Sequence, residues 1–131
     1  MQIEMQLARI VISETDDQQI IILKETKGDR HFPIVIGITE AAAIDRRLKK
    51  RPTSRPPTHE LLASVIEKLG GVVERVIIND LQDRTFFALL QVRQGEKVVE
   101  IDSRPSDAIA LGIGGGVQIF VEEKVLEAVS S

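Results

Sequence analysis

The sequence contains no cysteine, which excludes disulfides, a thiolate nucleophile and thiolate metal ligands. It also lacks tryptophan and tyrosine and has only four phenylalanines, so it offers few aromatic rings on which single-stranded nucleic acid could stack. No apolar run reaches the length of a membrane span, and the start of the sequence has no signal-peptide pattern. We therefore expect a cytoplasmic protein with no membrane partner.

The composition of the 131 residues is typical of one globular domain. Apolar residues make up 43% of the sequence, and a chain of this length can bury about two-thirds of its unfolded surface. Seventeen basic and twenty acidic residues give a net charge of −3, whereas nucleic-acid-binding proteins are usually basic. Any binding to RNA or DNA is thus expected to be weak and to depend on local clusters of positive charge.

Strand-like segments joined by short turns are interrupted by helical ones. Residues 3–12, 19–25 and 31–36 are apolar or alternating and are separated by polar turns, which predicts an antiparallel meander. Further strands are predicted near 72–78, 85–93, 97–102 and 117–121, and helices near 39–49, 59–69, 104–111 and 122–129. In the second helix, an apolar stripe predicted to face the core comprises Leu62, Val65, Ile66 and Leu69. The pattern indicates an α+β fold with mostly antiparallel sheet and three to four helices.

Two apolar strand segments are long for so short a chain, at Ile10 to Ile12 and Ile20 to Leu23. An open strand edge in such a sheet needs to be covered to prevent uncontrolled pairing. We therefore expect the protein to form a homodimer.

The densest group of chemically active residues runs from Asp102 to Asp107, between a predicted strand and a short helix. Helix N-termini favour anions, and Arg104 adds a positive charge that can hold phosphate. The two carboxylates can bind Mg²⁺ or Mn²⁺, which would activate water for phosphodiester hydrolysis. Alternatively, Asp107 only stabilises the helix N-terminus, and Asp102 caps the turn or pairs with Arg104.

Three further residues are candidates for the same site. His59 and Glu60 lie at the start of the second predicted helix, where His59 can act as a base or ligand and Glu60 as a metal ligand. Glu40 lies at the start of the first helix and can join Asp102 and Asp107. Each of the three can instead serve only its own helix start, with Thr39 and Thr58 as the capping residues.

A run of basic residues provides the local positive charge. Six cations fall within ten positions that contain no acid, and they are Arg46, Arg47, Lys49, Lys50, Arg51 and Arg55. These cations can bind phosphates. Alternatively, they lie at a solvated helix end, where positive charge is favoured by the negative pole of the helix dipole.

A glycine-rich stretch from Gly112 to Gly116 follows a helix instead of preceding one, and it lacks the Gly-x-Gly-x-x-Gly spacing. It is predicted to be a turn, and no organic cofactor is expected.

Three segments resemble the bifunctional nuclease domain family. Residues 101–111 (IDSRPSDAIAL) are similar to the signature of that family, residues 33–41 to its Gly-x-x-Glu-Ala segment, and residues 55–62 to its Arg-Pro-x-Thr-His-Asp-Leu segment. This chain has Glu60 where the family usually has Asp, and Gln118 where it commonly has Pro. The resemblance covers nearly the whole sequence, roughly residues 3 to 128.

The resemblance implies a nuclease that acts on RNA, DNA or both, with assistance from a divalent metal ion. Metal ligands would come from Asp102, Asp107 and either Glu40 or Glu60, and His59 would be a base or a ligand. A family does not guarantee its chemistry, and the low aromatic content and acidic balance favour an alternative. In that alternative the protein is a non-catalytic dimeric interaction or ligand-binding module, and the same charged residues hold the structure together.

Overall fold

Seven strands and four α-helices make up the computed structural model, which describes residues 1–130. The strands are β1 (Gln2–Val11), β2 (Gln18–Glu25), β3 (His31–Gly37), β4 (Gly71–Gln82), β5 (Thr85–Gln94), β6 (Lys97–Ser103) and β7 (Gln118–Glu122). The helices are α1 (Ile38–Leu48), α2 (Thr58–Lys68), α3 (Pro105–Gly112) and α4 (Glu123–Val129), with a 3₁₀ turn at Ile113–Gly115. The predicted α+β class and the four helices are confirmed.

All seven strands belong to one sheet in the order β3-β2-β1-β7-β4-β5-β6. Every neighbouring pair is antiparallel except β4 and β7, which are parallel. The predicted meander is confirmed, because β1 pairs with β2 and β2 with β3. The two edges of the sheet are therefore β3 and β6.

Helix α3 lies at the centre of the fold. It packs against β4 and β5, and it is contacted from either side by α1 and α2. The short run of small and branched residues from Ala108 to Leu111 is buried, as is Pro105, which fits the first helical turn because it needs no hydrogen-bonded N–H. The start of α3 is thus held rigidly where β6 ends.

The sheet curls so that its β3 edge approaches the far half of the sheet. Four strands separate β3 from β5, yet the rings of Phe32 and Phe86 lie 5.6 Å apart between centroids. The inward-facing residues Ile21, Leu23 and Ile78 are almost fully buried inside this curve. The curl leaves a cleft between β3, the turn before β5, and the start of α3.

The predicted core stripe of α2 is wrong. No residue of this helix is buried, and Leu62, Val65 and Leu69 expose 47%, 43% and 71% of their surface. Only Ile66 of the four packs against the core. The periodicity identified an amphipathic helix correctly, but residues 1–130 of this chain do not themselves cover its apolar face.

The predicted helix caps are also wrong. Helices α1 and α2 begin after Gly37 and Pro57, and neither of these positions makes a side-chain capping hydrogen bond. Thr39 and Thr58 lie inside their helices instead.

Among the described residues, no helix combines the length and hydropathy needed to cross a membrane.

Candidate functional site

The cleft at the start of α3 has a volume of about 460 Å³. Its lining comes from β3, from the turn at Arg84 and Thr85, and from the residues that enter α3. Two of the predicted site residues, Glu40 and Arg104, line it directly. The curl of the sheet and the buried α3 therefore bring Glu40 and Arg104, which are 64 positions apart in the sequence, into the lining of the same cleft.

Arg104 links the predicted site residues into one network. Its Nε donates to Oδ2 of Asp107 at 2.7 Å, and its Nη2 lies 3.2 Å from Oε1 of Glu40. On the far side of Asp107, Oδ1 lies 3.0 Å from Nε2 of His59. The structure thus joins His59, Asp107, Arg104 and Glu40 in a continuous chain of charged and polar contacts.

The contact between His59 and Asp107 determines which ring nitrogen of a neutral His59 carries the hydrogen. An ionised carboxylate can only accept hydrogen bonds, so the Nε2 of His59 carries the proton and donates it to Asp107. In a neutral ring, Nδ1 is then an acceptor, and no hydrogen bond within residues 1–130 occupies it. This is the arrangement of a histidine that a carboxylate orients for accepting a proton.

The charge state of Asp107 follows from its two partners. Burial of Asp107 works against ionisation, but the hydrogen bonds from His59 and Arg104 outweigh it and hold the pKa of the Asp107 carboxyl below its usual value. The same contact with Asp107, supported by Glu40, raises the pKa of Arg104. Asp107 is therefore a carboxylate and Arg104 a cation throughout the neutral pH range.

Glu40 is the most enclosed carboxylate of the network. Its side chain is only 11% exposed, and its pairing partner is Arg104. Gly37 makes room for it, because a Cβ added at Gly37 would lie 2.7 Å from Oε2 of Glu40. A glycine three residues before the glutamate, as in the Gly-x-x-Glu-Ala segment, is the sequence signal for this arrangement.

Asp102 is not brought to this network. It pairs across the sheet with Leu89, whereas its neighbours Ile101 and Ser103 pair with Leu90 and Ala88, which face the helices. Because side chains alternate along a strand, Asp102 lies on the opposite face of the sheet from α3. It is exposed and makes no hydrogen bond or ion pair with the rest of residues 1–130.

The predicted metal ligands Asp102, Asp107 and Glu60 therefore do not share a site in this conformation. Both oxygens of Asp107 are engaged by His59 and Arg104, and Glu60 faces Arg46 at 4.0 Å. Within residues 1–130, no group of three His, Asp or Glu side chains is arranged to hold a metal ion. The donor set does not fit a metal site built from these three ligands.

The predicted basic run divides into paired and unpaired cations. Asp45, which immediately precedes the run, lies 3.2 Å from Lys49 and 3.5 Å from Arg51. Arg55 is exposed in the loop between α1 and α2. The remaining predicted phosphate ligands Arg46, Arg47 and Lys50 line a small depression between α1 and α2, next to Gly114.

Comparison with known proteins identifies relatives over most of the chain. A family model described as the bifunctional nuclease domain matches residues 21–131. Uncharacterised proteins from two strains of Mycobacterium tuberculosis are each 38% identical over 123 residues, which cover 94% of this chain and 73% of theirs. The protein named bifunctional nuclease 1 from Oryza sativa subsp. japonica is 23% identical over 109 residues, covering 81% of this chain and 33% of the rice protein.

Proposed function

The chain belongs to the bifunctional nuclease domain family, and on that premise we propose that it hydrolyses phosphodiester bonds of RNA, DNA or both. The observation that carries this proposal is the network of His59, Asp107, Arg104 and Glu40, of which Arg104 and Glu40 line the cleft. It combines an oriented histidine, a cation suited to phosphate and an enclosed carboxylate. Two rice relatives named bifunctional nuclease 1 and one Oryza minuta relative named bifunctional nuclease add support.

Arg104 is the proposed phosphate ligand. Its side chain is 68% exposed although it pairs with two carboxylates, so its guanidinium can contact both these partners and a substrate in the cleft. A planar guanidinium binds phosphate oxygens through two parallel hydrogen bonds and counters the negative charge that grows during attack at phosphorus. The pairs with Glu40 and Asp107 hold this group in place before the substrate arrives.

His59 is the proposed general base. Its Nε2 is held by Asp107, and its Nδ1 can take a proton from an attacking water molecule. As the new bond from water to phosphorus forms, the bond from phosphorus to the leaving sugar oxygen breaks. The water proton passes to Nδ1 of His59, and the leaving oxygen takes a proton from solvent.

Divalent-metal assistance remains part of the proposal, with Glu40 as the one donor kept from the set that the family resemblance implies. Mg²⁺ is commonly held by one or two carboxylates together with substrate phosphates, and Glu40 is the carboxylate that lines the cleft. Such an ion would neutralise charge on the phosphate and lower the pKa of a bound water. Asp102 is given no part, because it lies on the other face of the sheet.

The test is hydrolysis of end-labelled single-stranded RNA and DNA by the purified protein, with Mg²⁺, Mn²⁺ or excess EDTA. A His59→Gln variant retains an N–H that can bond to Asp107 but removes the proton acceptor. We expect cleavage by the wild type and at least about a hundredfold loss of kcat in the variant. Equal cleavage by the two proteins would remove His59 from the mechanism.

A specific observation supports the dimeric part of the second candidate function, a non-catalytic dimeric interaction or ligand-binding module. The apolar face of α2 is exposed, and β6 also carries exposed apolar residues: Ile66 of α2 and Val92 of β5 both lie close to Gly71, and Val92 pairs with the exposed Val99 of β6. Ile101, on the same face of β6, is 42% exposed. Exposed apolar surface of this kind, beside an open strand edge, is typical of a protein–protein interface.

We propose a second copy of this chain as the partner on that surface. Two β6 strands that pair antiparallel about a twofold axis at Val99 place Val98 opposite Glu100 and Lys97 opposite Ile101. Between Lys97 and Ile101 no like charges are then directly opposed, and the next pair outward places Asp102 opposite Glu96 of the turn; an axis at Glu100 would instead oppose two glutamates at its centre. Dimerisation is compatible with either candidate function, so the presence or absence of cleavage decides between them.

A further inference from the structure

A positively charged depression with a lining separate from that of the cleft is not used by the proposed mechanism. It has a volume of about 220 Å³ and lies between the end of α1, the start of α2 and the 3₁₀ turn. Its lining consists of four cations, one carboxylate and one glycine, which are Arg46, Arg47, Lys50, Arg51, Glu60 and Gly114. Arg51 is paired with Asp45 and Arg46 faces Glu60 at 4.0 Å, so the charge available to a ligand comes mainly from Arg47 and Lys50.

Two of these cations have buried donors without an acceptor. The Nε atoms of Arg46 and Arg47 are shielded from solvent, and neither makes a hydrogen bond to another of the described residues. The nearest carboxylate oxygen to Nε of Arg46 is that of Glu60, at 4.0 Å, beyond hydrogen-bond distance. A buried N–H without an acceptor is unfavourable, and an oxyanion in the depression would supply acceptors after a rotation of either side chain that turned its Nε toward the ligand.

The position of Arg47 depends on Gly114. A Cβ added at Gly114 would lie 2.7 Å from Nη2 and 2.8 Å from Nε of Arg47. The guanidinium therefore occupies the space that any other residue at position 114 would fill. The glycine-rich turn lacks phosphate-loop spacing, but its Gly114 leaves the space that the Arg47 guanidinium occupies.

The depression adjoins the proposed catalytic network through two consecutive residues of α2. His59 faces Asp107, whereas Glu60 faces Arg46, and the Cα atoms of consecutive residues are about 3.8 Å apart. Helix α1 likewise carries Glu40 at its start and Arg46 and Arg47 at its end. A polyanion that reaches Arg104 can thus continue across the start of α2 to these arginines.

We propose that this depression is a second phosphate subsite, which binds one backbone phosphate of a nucleic-acid strand while another phosphate of the same strand lies at Arg104. The proposal rests on the nuclease function and extends it, because it makes the substrate a strand of several nucleotides instead of a mononucleotide. Arg47 and Lys50 supply the main charge, and Arg46 contributes its buried N–H.

The test measures equilibrium binding of a fluorescein-labelled single-stranded 12-nucleotide probe by anisotropy, in EDTA so that no cleavage occurs, at several salt concentrations. The variants are Arg47→Gln, Lys50→Gln and Gly114→Ala, with Lys27→Gln as the matched control. Lys27 is an exposed cation in the turn after β2 and makes no ion pair with residues 1–130. Thermal melts establish that each variant is folded.

We expect Arg47→Gln and Lys50→Gln each to reduce the slope of log K against log salt by about 0.7, as for one lost phosphate contact on a single strand. Gly114→Ala keeps the charge but moves Arg47, so it should lower the affinity several-fold, while Lys27→Gln changes little. If Lys27→Gln and Arg47→Gln reduced the affinity and the salt slope equally, the subsite would be overturned, because binding would then depend only on the overall positive charge of the protein. Wild-type affinity in Gly114→Ala would contradict the claim that the position of Arg47 against Gly114 matters for binding.

A parallel titration with inorganic phosphate separates a strand subsite from a site for free anions. If Arg47→Gln weakened binding of free phosphate but left binding of the probe unchanged, the nucleic-acid assignment would be overturned. Failure of the nuclease function gives a different result. Binding would then still depend on Arg47 and Gly114, but the probe would stay intact with every divalent metal.

Discussion

The Nε2 of His59 lies 3.0 Å from Oδ1 of Asp107, which joins the first turn of α2 to the first turn of α3. This contact matters for the fold as well as for the chemistry. Helix α2 has no buried residue, so few apolar contacts determine where it lies. A polar bond to the well-buried α3 therefore positions both the helix and the proposed base.

Removal of Arg104 should destabilise the protein through Glu40. The Glu40 side chain is only 11% exposed, and its ion pair would be lost in Arg104→Gln. Loss of one partner from a fully buried pair costs about 3–5 kcal/mol. Arg104 is itself 68% exposed, so water screens the pair and we expect a loss of about 1–2 kcal/mol in the free energy of unfolding.

Urea denaturation measures this loss, and the double variant identifies its origin. Glu40→Gln removes the enclosed charge, so adding Arg104→Gln to that background should cost clearly less than it does in the wild type. An equal cost in both backgrounds would show that Arg104 acts through Asp107 alone. No change of the midpoint in either background would mean that the junction between β6 and α3 is loosely held.

The pair of carboxylates around Arg30 predicts a dependence of stability on pH. Arg30 bonds to Glu25 of β2 at 3.0 Å and to Glu123 of α4 at 2.7 Å, and it lowers the pKa of both carboxyls. A lowered carboxyl pKa adds stability that is fully present above the unfolded value, about 4.3, and is lost as pH falls through the folded value.

The variant Arg30→Gln should therefore differ from the wild type most at neutral pH. Urea midpoints at pH 7 and pH 5 should show the same gap between the two proteins, and the gap should shrink at pH 3. Lys27→Gln, three residues earlier in the same turn, is the control and should follow the wild type at every pH. A gap at pH 3 as large as that at pH 7 would show that Arg30 stabilises the fold by packing.

The exposed face of α2 predicts a dimer that a single charge disrupts. Leu69 exposes 71% of its surface in the monomer, and Leu69→Glu would place a carboxylate in the proposed interface. Light scattering at micromolar concentration should give twice the 14.5 kDa chain mass for the wild type and the single-chain mass for the variant. Ile12→Glu, at an exposed apolar residue just after β1, should remain dimeric. A wild-type monomer would contradict this assignment of the surface.

Most of the fold follows from local pattern, because each strand and helix has its own apolar period. The exposure of the apolar face of α2 could not be predicted from its sequence pattern. Residues such as Leu62 and Leu69 at helical spacing show that a helix has an apolar face, but not which chain covers it. The helix starts were misassigned by one or two residues, because proline and glycine beside Thr58 and Thr39 set the backbone without a side-chain cap.

The site was harder to predict than the fold. The residues of the network were all candidates, but nothing in a linear sequence pairs His59 with Asp107, 48 positions away. The position of Asp102 was open to prediction, since Ile101 and Ser103 alternate with it along β6 and the apolar Ile101 indicates the inner face. The role of Gly114 required the structure, because only the coordinates place Arg47 against it.

The most direct test of the account compares metal-dependent cleavage of single-stranded RNA and DNA by Asp107→Asn and Asp102→Asn. Both variants replace a carboxylate by an amide of the same shape within one strand–helix junction, but only Asp107 contacts His59 and Arg104. We predict at least about a hundredfold loss of activity in Asp107→Asn and nearly wild-type activity in Asp102→Asn. Equal activity of the two variants, or a larger loss in Asp102→Asn, would contradict a catalytic site built on the His59–Asp107 pair.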